Sequence, residues 1–369
     1  MNGFRVQTKD ESAGYVLSSS EPQEATDPKK SIPEIGTLIT IHPSSLFELS
    51  MKNLILFACI LLAISGLTMK RLHAQSNTVE ESEAPKKRGV RVAKVKAKAD
   101  ESTADKIEVY KSVDGVDLKA YIFLPKDHQP TDQRPAVVFF FGGGWTNGSP
   151  GQFVEHCKHL AARSLVGITV DYRVASRHGV KAVSCVRDAK SAIRWTRQNS
   201  TKLGIDPNRI VAAGGSAGGH LAACTGVING FDEPSEDNSI SSRPNAMALF
   251  NPALVLAEID GEARRDKERI AALPERFGVE PKELSPFHHV AASQPPTIIF
   301  HGIADTTVPY KTAEKFTVAM KAAGNDCELI GYPGQPHGFF NYGRGDGTSY
   351  EDTIDKLDRF LQRLGYLGK

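Results

Sequence analysis

The sequence has almost no net charge: 45 Lys and Arg against 43 Asp and Glu leave +2 over 369 residues. So even a balance supplies no global field for nucleic acid, and no nucleic-acid partner is expected. Cysteine is scarce, five residues without tight spacing, which argues against a disulfide scaffold and a zinc site. No internal repeat is visible. The phosphate-binding patterns G-x-x-x-x-G-K-[ST] and G-x-G-x-x-G are both missing, so nothing calls for a nucleotide. What remains is an ordinary globular composition, 40% hydrophobic and 24% charged, long enough for one large domain.

The first hundred residues do not read as part of that domain. Residues 1–50 are polar and irregular, and then comes MKNLILFACILLAISGLTMKRLHAQS. Met51 and Lys52, an apolar run from Leu54 to Leu67, and Ala74 before Gln75 have the layout of a secretory signal peptide. On this reading residues 51–74 are the signal, Met51 is the initiator and residues 1–50 are an over-extended start. Lys70 and Arg71, after the apolar run, suit the alternative of an uncleaved membrane anchor through residues 53–69. Residues 75–105 then form a basic linker, with Lys86, Lys87, Arg88, Arg91, Lys94, Lys96 and Lys98 close together. Such an arm can touch anionic lipid or polysaccharide, although a solvated tether needs no partner. The expected location is periplasmic or secreted. Export permits disulfides, but Cys157, Cys185, Cys224 and Cys327 lie in apolar segments and are expected to be buried free thiols.

From Lys106 to Lys369 strands and helices alternate. KIEVYKSV and VDLKAYIFLP flank Asp114-Gly115 as a hairpin. AVVFFF, LVGITVDYR, NRIVAAGG (entered through an Asp206-Pro207 turn), NAMALFNP, PTIIFHG and CELIGYPG read as strands. Between them GQFVEHCKHLAARS and Lys181 to Lys202 read as helices, and Ile354, Leu357, Leu361 and Leu364 mark a closing helix. Continuous apolar strands separated by helices predict a mostly parallel sheet covered on both faces. Ligands of such sheets sit at the carboxyl ends of the strands. A small insertion, residues 256–292, is expected over that end.

Three strand ends carry chemistry. Gly214-Gly215-Ser216-Ala217-Gly218 is a G-x-S-x-G pattern between a strand and a helix. That context makes Ser216 a candidate nucleophile, held clear of the sheet on a sharp turn. A serine needs a base, and the base needs an orienting carboxylate. Asp305 and His337 follow the next suitable strands, in the order Ser, Asp, His. Among the rivals, His156 and His159 are placed on the exposed side of a helix. His220 and His301 are given structural roles. His288 and His289 can line the pocket but precede the acid strand, Asp326 stands before its strand, and Asp346 follows the histidine. Phe141-Gly142-Gly143-Gly144 ends a strand in bare backbone, where a phosphate cradle or an oxyanion hole would fit. With no phosphate motif and Ser216 at the neighbouring strand end, the amides of Gly143, Gly144 and Ala217 are the expected oxyanion donors.

Over roughly Lys106 to Leu364 these blocks resemble the esterases and lipases of the α/β-hydrolase fold related to hormone-sensitive lipase. The resemblance rests on GGSAGGHLA, HGIADTTVP and PHGFF, with VDYR and DAKSAIRW as further, structural features. It implies an α/β-hydrolase fold for residues 106–369 and a Ser-Asp-His ester hydrolase that needs no cofactor and no metal. Within that family it resembles bacterial acetyl-esterase and carboxylesterase types, several of which deacylate polysaccharides, so a small-molecule or polysaccharide ester is the implied substrate. The family's glycine motif usually begins with histidine, and here Phe141 stands in its place. A prolyl-oligopeptidase-like peptidase shares the fold and triad, but it usually carries a large N-terminal propeller. A non-catalytic binding protein generally loses a triad member, and this chain keeps all three.

Overall fold

A computed structural model of the protein describes residues 103–259 and 273–368. The readings made for residues 1–102 (start, signal or anchor, and nearly all of the linker) lie outside the described residues. Eight strands form one sheet: β1 (Lys106–Val113), β2 (Val116–Phe123), β3 (Arg134–Phe140), β4 (Val166–Val170), β5 (Ile205–Gly215), β6 (Ala246–Phe250), β7 (Thr297–Gly302) and β8 (Cys327–Tyr332). Their order is β1-β2-β4-β3-β5-β6-β7-β8. β1 and β2 pair antiparallel, as the Asp114-Gly115 hairpin predicts, and β2 joins β4 antiparallel. All the other pairs are parallel.

Position in the sheet follows from side-chain pattern. The runs VGITV and AMALF in β4 and β6, and TIIFHG in β7, are buried throughout, because interior parallel strands are covered on both faces. The edge strands β1 and β8 alternate or stay half-buried. Among the described residues seven α-helices connect and cover them: α1 (Val154–Ala162), α2 (Ala175–His178), α3 (Ala182–Gln198), α4 (Ala217–Val227), α5 (Leu273–Phe277), α6 (Tyr310–Ala322) and α7 (Thr348–Arg363). One apolar layer gathers α3 and α4 side chains such as Val186, Ile193 and Leu221 with one sheet face. The other gathers α1 and α7, through Leu160, Leu357 and Phe360, with Phe139, Phe250 and Phe300.

Two local readings change. The helix expected over Lys181 to Lys202 stops at Gln198, where Asn199 caps it and a turn leads to left-handed Gly204. The Asp206-Pro207 turn does not precede β5 but interrupts it. Ile205 already pairs with Arg134, and the ladder resumes at Ile210 opposite Ala136. The four cysteines of this region are buried free thiols. Among the described residues no helix is long and apolar enough to cross a membrane.

His156 contradicts its expected place on the exposed side of α1. It is fully buried in an aromatic box of Phe139, Phe153, Phe250 and Tyr350, with ring centroids 4.9–5.7 Å away. Among the described residues neither ring nitrogen has a hydrogen-bond partner. Burial, helped by the nearby His159, pushes its pKa down to about 3, and burial pushes buried His220 down to about 4 despite the Leu284 carbonyl. Both rings are therefore neutral when folded at pH values where the unfolded chain protonates them. Their contribution is intact above the usual histidine value and is lost as pH falls below it, until the folded rings protonate too. The expected slope is about 1.4 kcal/mol per pH unit for each histidine. Denaturant unfolding at pH 7, 6 and 5 measures it, and His156→Phe is expected to remove about half. An unchanged slope in that variant would show that His156 is not the source.

Candidate active site

The parallel register brings several chain crossings to one end of the sheet. Phe140 pairs with Gly214, Gly215 with Phe250, and Phe250 with Phe300. The residues that follow these strands therefore emerge side by side.

Ser216 occupies the turn between β5 and α4 with φ 54° and ψ −116°. This positive φ is costly for a residue with a side chain, and its surroundings must hold it. Its amide donates to Phe250 O at 2.8 Å, and its carbonyl accepts the His220 amide at 3.0 Å. The tightness of the turn explains Gly218: a Cβ there would lie 2.0 Å from Phe140 O.

The structure brings Ser216, Asp305 and His337 together. His337 Nε2 lies 2.9 Å from Ser216 Oγ, and His337 Nδ1 lies 2.6 Å from Asp305 Oδ2. A carboxylate only accepts, so Nδ1 carries the ring proton and Nε2 presents its lone pair to the serine hydroxyl. Asp305 is buried, with its side chain sealed from solvent. Oδ1 accepts the Thr307 and Val308 amides at 2.9 Å each, and Oδ2 also accepts Asn251 Nδ2 at 2.8 Å. Burial alone would raise its pKa. Hydrogen bonds from His301, His337 and the Val308 amide outweigh burial and hold the carboxyl well below the usual range.

Across from Ser216 lies the glycine loop after β3. Among the described residues the amides of Gly143, Gly144 and Ala217 donate to no partner, whereas the Gly142 amide is taken by Gln152 Oε1 at 2.6 Å. Gly142, Gly143, Gly144, Ser216 and His337 share the wall of one cavity of about 540 Å³. Phe141, in the motif histidine's place, is fully buried and stacks on Tyr172 with centroids 4.0 Å apart. The Tyr172 hydroxyl donates to Phe141 O at 2.7 Å. The next residue, Arg173, makes two 2.9 Å hydrogen bonds to buried Asp188. VDYR and DAKSAIRW thus meet in space and brace the base of the loop. Gln152 spans to the histidine loop: its Nε2 donates to Asn341 Oδ1, and Asn341 Nδ2 donates to Gly338 O, both at 2.8 Å. From the insertion, Arg276 donates to Gly144 O and lies over the Trp145 ring. Its described part therefore does reach the active-site end, while residues 260–272 lie outside the described residues.

The rival groups fall elsewhere. His220 accepts from Trp145 Nε1 at 3.1 Å and donates to Leu284 O at 2.7 Å, a structural tie. His301 donates to Val308 O at 2.8 Å and lies 3.4 Å from Asp305 Oδ2. His159 is half-buried against Asp358. His288 and His289 do not line the cavity, because Ser285, Glu258 O and Lys282 O hold their rings. Asp326 pairs with Arg363, and Asp346 caps Thr348. Sequence reasoning missed Asn251, Gln152 and Asn341. Asn251 had a signal: like Ser216 it is the first residue after an apolar strand.

Comparison with known proteins bears on the family and the fold. The family model BD-FAE matches residues 121–320. The esterase LipC of Mycobacterium tuberculosis is 32% identical over 254 residues, covering 64% of this chain and 60% of that protein. This chain thus spans less than two thirds of that relative. Two structures of Thermogutta terrifontis esterase 2, one with propionate bound and one phosphonylated by sarin, are each 53% identical with TM-score 0.70. Each match covers 73% of this chain and 98% of the other. The chain belongs to the BD-FAE family, and its fold is that of the α/β-hydrolase esterases.

Proposed function

We propose that this protein is an exported serine carboxylic-ester hydrolase that works through an acyl-enzyme on short acyl esters, with polysaccharide esters among its substrates. The carrying observation is the continuous chain from Ser216 Oγ through His337 to Asp305 Oδ2, at 2.9 and 2.6 Å. His337 Nε2 takes the hydroxyl proton as Ser216 Oγ attacks the ester carbonyl carbon. Asp305 stabilises the imidazolium that forms. The carbonyl oxygen gains negative charge against the Gly143, Gly144 and Ala217 amides, where one donor is worth about 3 kcal/mol in the transition state. The imidazolium then gives its proton to the leaving alcohol oxygen. Water, deprotonated by the same nitrogen, releases the acid.

Short acyl groups are supported by the propionate- and butyrate-bound structures of the Thermogutta esterase. Amide and hydroxyl side chains on the cavity wall (Asn147, Ser149, Gln152 and Asn341) suit a hydroxyl-rich alcohol. The test is a p-nitrophenyl ester series of rising chain length, run beside acetylated xylan, with Ser216→Ala as the blank. Acetate to butyrate are expected to be turned over fastest, with kcat/KM falling beyond. Activity unchanged in the blank would overturn the mechanism. Export rests on the residues 51–74 reading, and N-terminal sequencing of the exported protein tests it. A start near Gln75 is expected, and an intact Met1 would refute it.

A further inference from the structure

We infer that Arg344 is a specificity residue of this site and that the natural ester carries a carboxylate close to its scissile bond. The inference rests on the esterase reading above. Arg344 lines the same cavity as Ser216 and His337. Its Nη1 lies 3.7 Å from where a Cβ on Gly338, next to His337, would stand. The side chain is exposed and makes no ion pair among the described residues. Arg134, Arg173, Arg177, Arg194 and Arg209 each meet an acid, and Arg197 and Arg243 are held by backbone carbonyls. Among the described residues no acidic side chain lines the cavity.

The backbone that carries this arginine is tied into the histidine loop. Its amide donates to Asn341 O at 3.1 Å, and Asn341 is fixed to Gln152 and Gly338. Left-handed Gly343 and Gly345 turn the chain sharply on either side. The other arginine nearby, Arg276, is engaged with Gly144 O and the Trp145 face. A planar guanidinium matches a carboxylate with two parallel hydrogen bonds. A neutral ester gains nothing from it. Ion pairs held in bulk water contribute little. On a cavity wall with no competing acid among the described residues, we expect about a tenfold effect, or 1.4 kcal/mol.

The experiment compares kcat/KM for matched anionic and neutral esters in the full-length protein. Monomethyl and dimethyl succinate place the charge on the acyl side, and O-acetyl-lactate and O-acetyl-lactamide place it on the alcohol side. The intrinsic reactivity of each pair cancels between enzyme variants, so the quantity read is the change in the anionic-to-neutral ratio. Arg344→Gln is expected to lower that ratio about tenfold in at least one pair. Arg344→Glu should lower it further, and Arg344→Lys should restore part of it. Arg359→Gln removes an exposed positive charge on α7 and should leave the ratio as it was, which separates a local contact from net charge. A ratio unchanged within twofold in both pairs for Arg344→Gln would overturn the inference. If wild type turns over neither these esters nor the p-nitrophenyl series, the esterase reading fails on its own. Calorimetry with glucuronate then decides the arginine's role: binding that Arg344→Gln abolishes supports it, and binding that survives, or no binding, overturns it.

Discussion

Gly143→Val is expected to lower kcat/KM by about three orders of magnitude or more while the protein stays folded. Gly143 has φ +122°, a region that residues with a Cβ scarcely enter. A Cβ there would lie 2.0 Å from Asn147 O and 2.7 Å from Asn147 C, both backbone atoms that cannot swing aside. The glycine is also the hub of its turn, since Gly143 O accepts the Thr146 and Asn147 amides at 3.1 and 3.2 Å. Relief therefore requires the turn to shift, carrying the Gly143 and Gly144 amides away from the developing oxyanion. Losing one such donor costs about 10²–10³ in kcat, and this substitution displaces two. The contact exists mainly in the transition state, so the loss should appear in kcat with KM little changed. Local strain of about 1–3 kcal/mol would lower the melting temperature by several degrees without unfolding the chain. Phe141→His is the contrasting variant. Its ring can keep the slot against Tyr172, so turnover is expected to remain within a few-fold of wild type. A Gly143→Val enzyme with more than about a tenth of wild-type kcat/KM would remove this loop from the oxyanion site.

The same glycines mark where the sequence is a good guide and where it fails. Central strands are legible because burial on both faces demands runs such as VVFFF and TIIFHG. Ser216, Asp305 and His337 are found because each follows a strand end, so a local pattern locates a site assembled over long range. The groups that steady them carry no such local mark. Gln152 and Asn341 meet across 189 residues, and each looks like an ordinary polar loop residue. VDYR and DAKSAIRW can be noticed as blocks, but nothing in them says that Arg173 clasps Asp188 beneath the glycine loop. His156 is misread for a related reason. Which face of α1 is buried depends on aromatic rings contributed by β3, β6 and α7, and a polar residue in a helix defaults to the exposed side. The three-dimensional packing overrides local polarity there.

The second large effect concerns Asp305→Asn, expected to lower kcat/KM about 10⁴-fold at neutral pH. The reason is a count of donors. Oδ1 faces two backbone amides, Thr307 and Val308, which cannot accept. The single carbonyl oxygen of asparagine must stay with them, so its NH₂ group turns toward the old Oδ2 position. There it meets His337 Nδ1, Asn251 Nδ2 and, more distantly at 3.4 Å, His301 Nε2, all donors in the wild type. Asn251 can relieve its side by flipping its amide, at the cost of the 3.3 Å bond that its Oδ1 accepts from the Gly338 amide. His337 can relieve its side only by moving its proton from Nδ1 to Nε2. The nitrogen facing Ser216 Oγ then carries a hydrogen and has no lone pair to receive one. The geometry survives and the base is lost. Nitrogen NMR of the imidazole distinguishes this from mere unfolding: the variant should show Nε2–H and the wild type Nδ1–H. The carboxylate's depressed pKa adds a stability signature. Wild type gains stability from it above the usual aspartate range and loses that gain as pH falls below, whereas the asparagine variant lacks this part of the acid limb. An Asp305→Asn enzyme within about tenfold of wild type at neutral pH would mean that His337 is not held by this carboxylate.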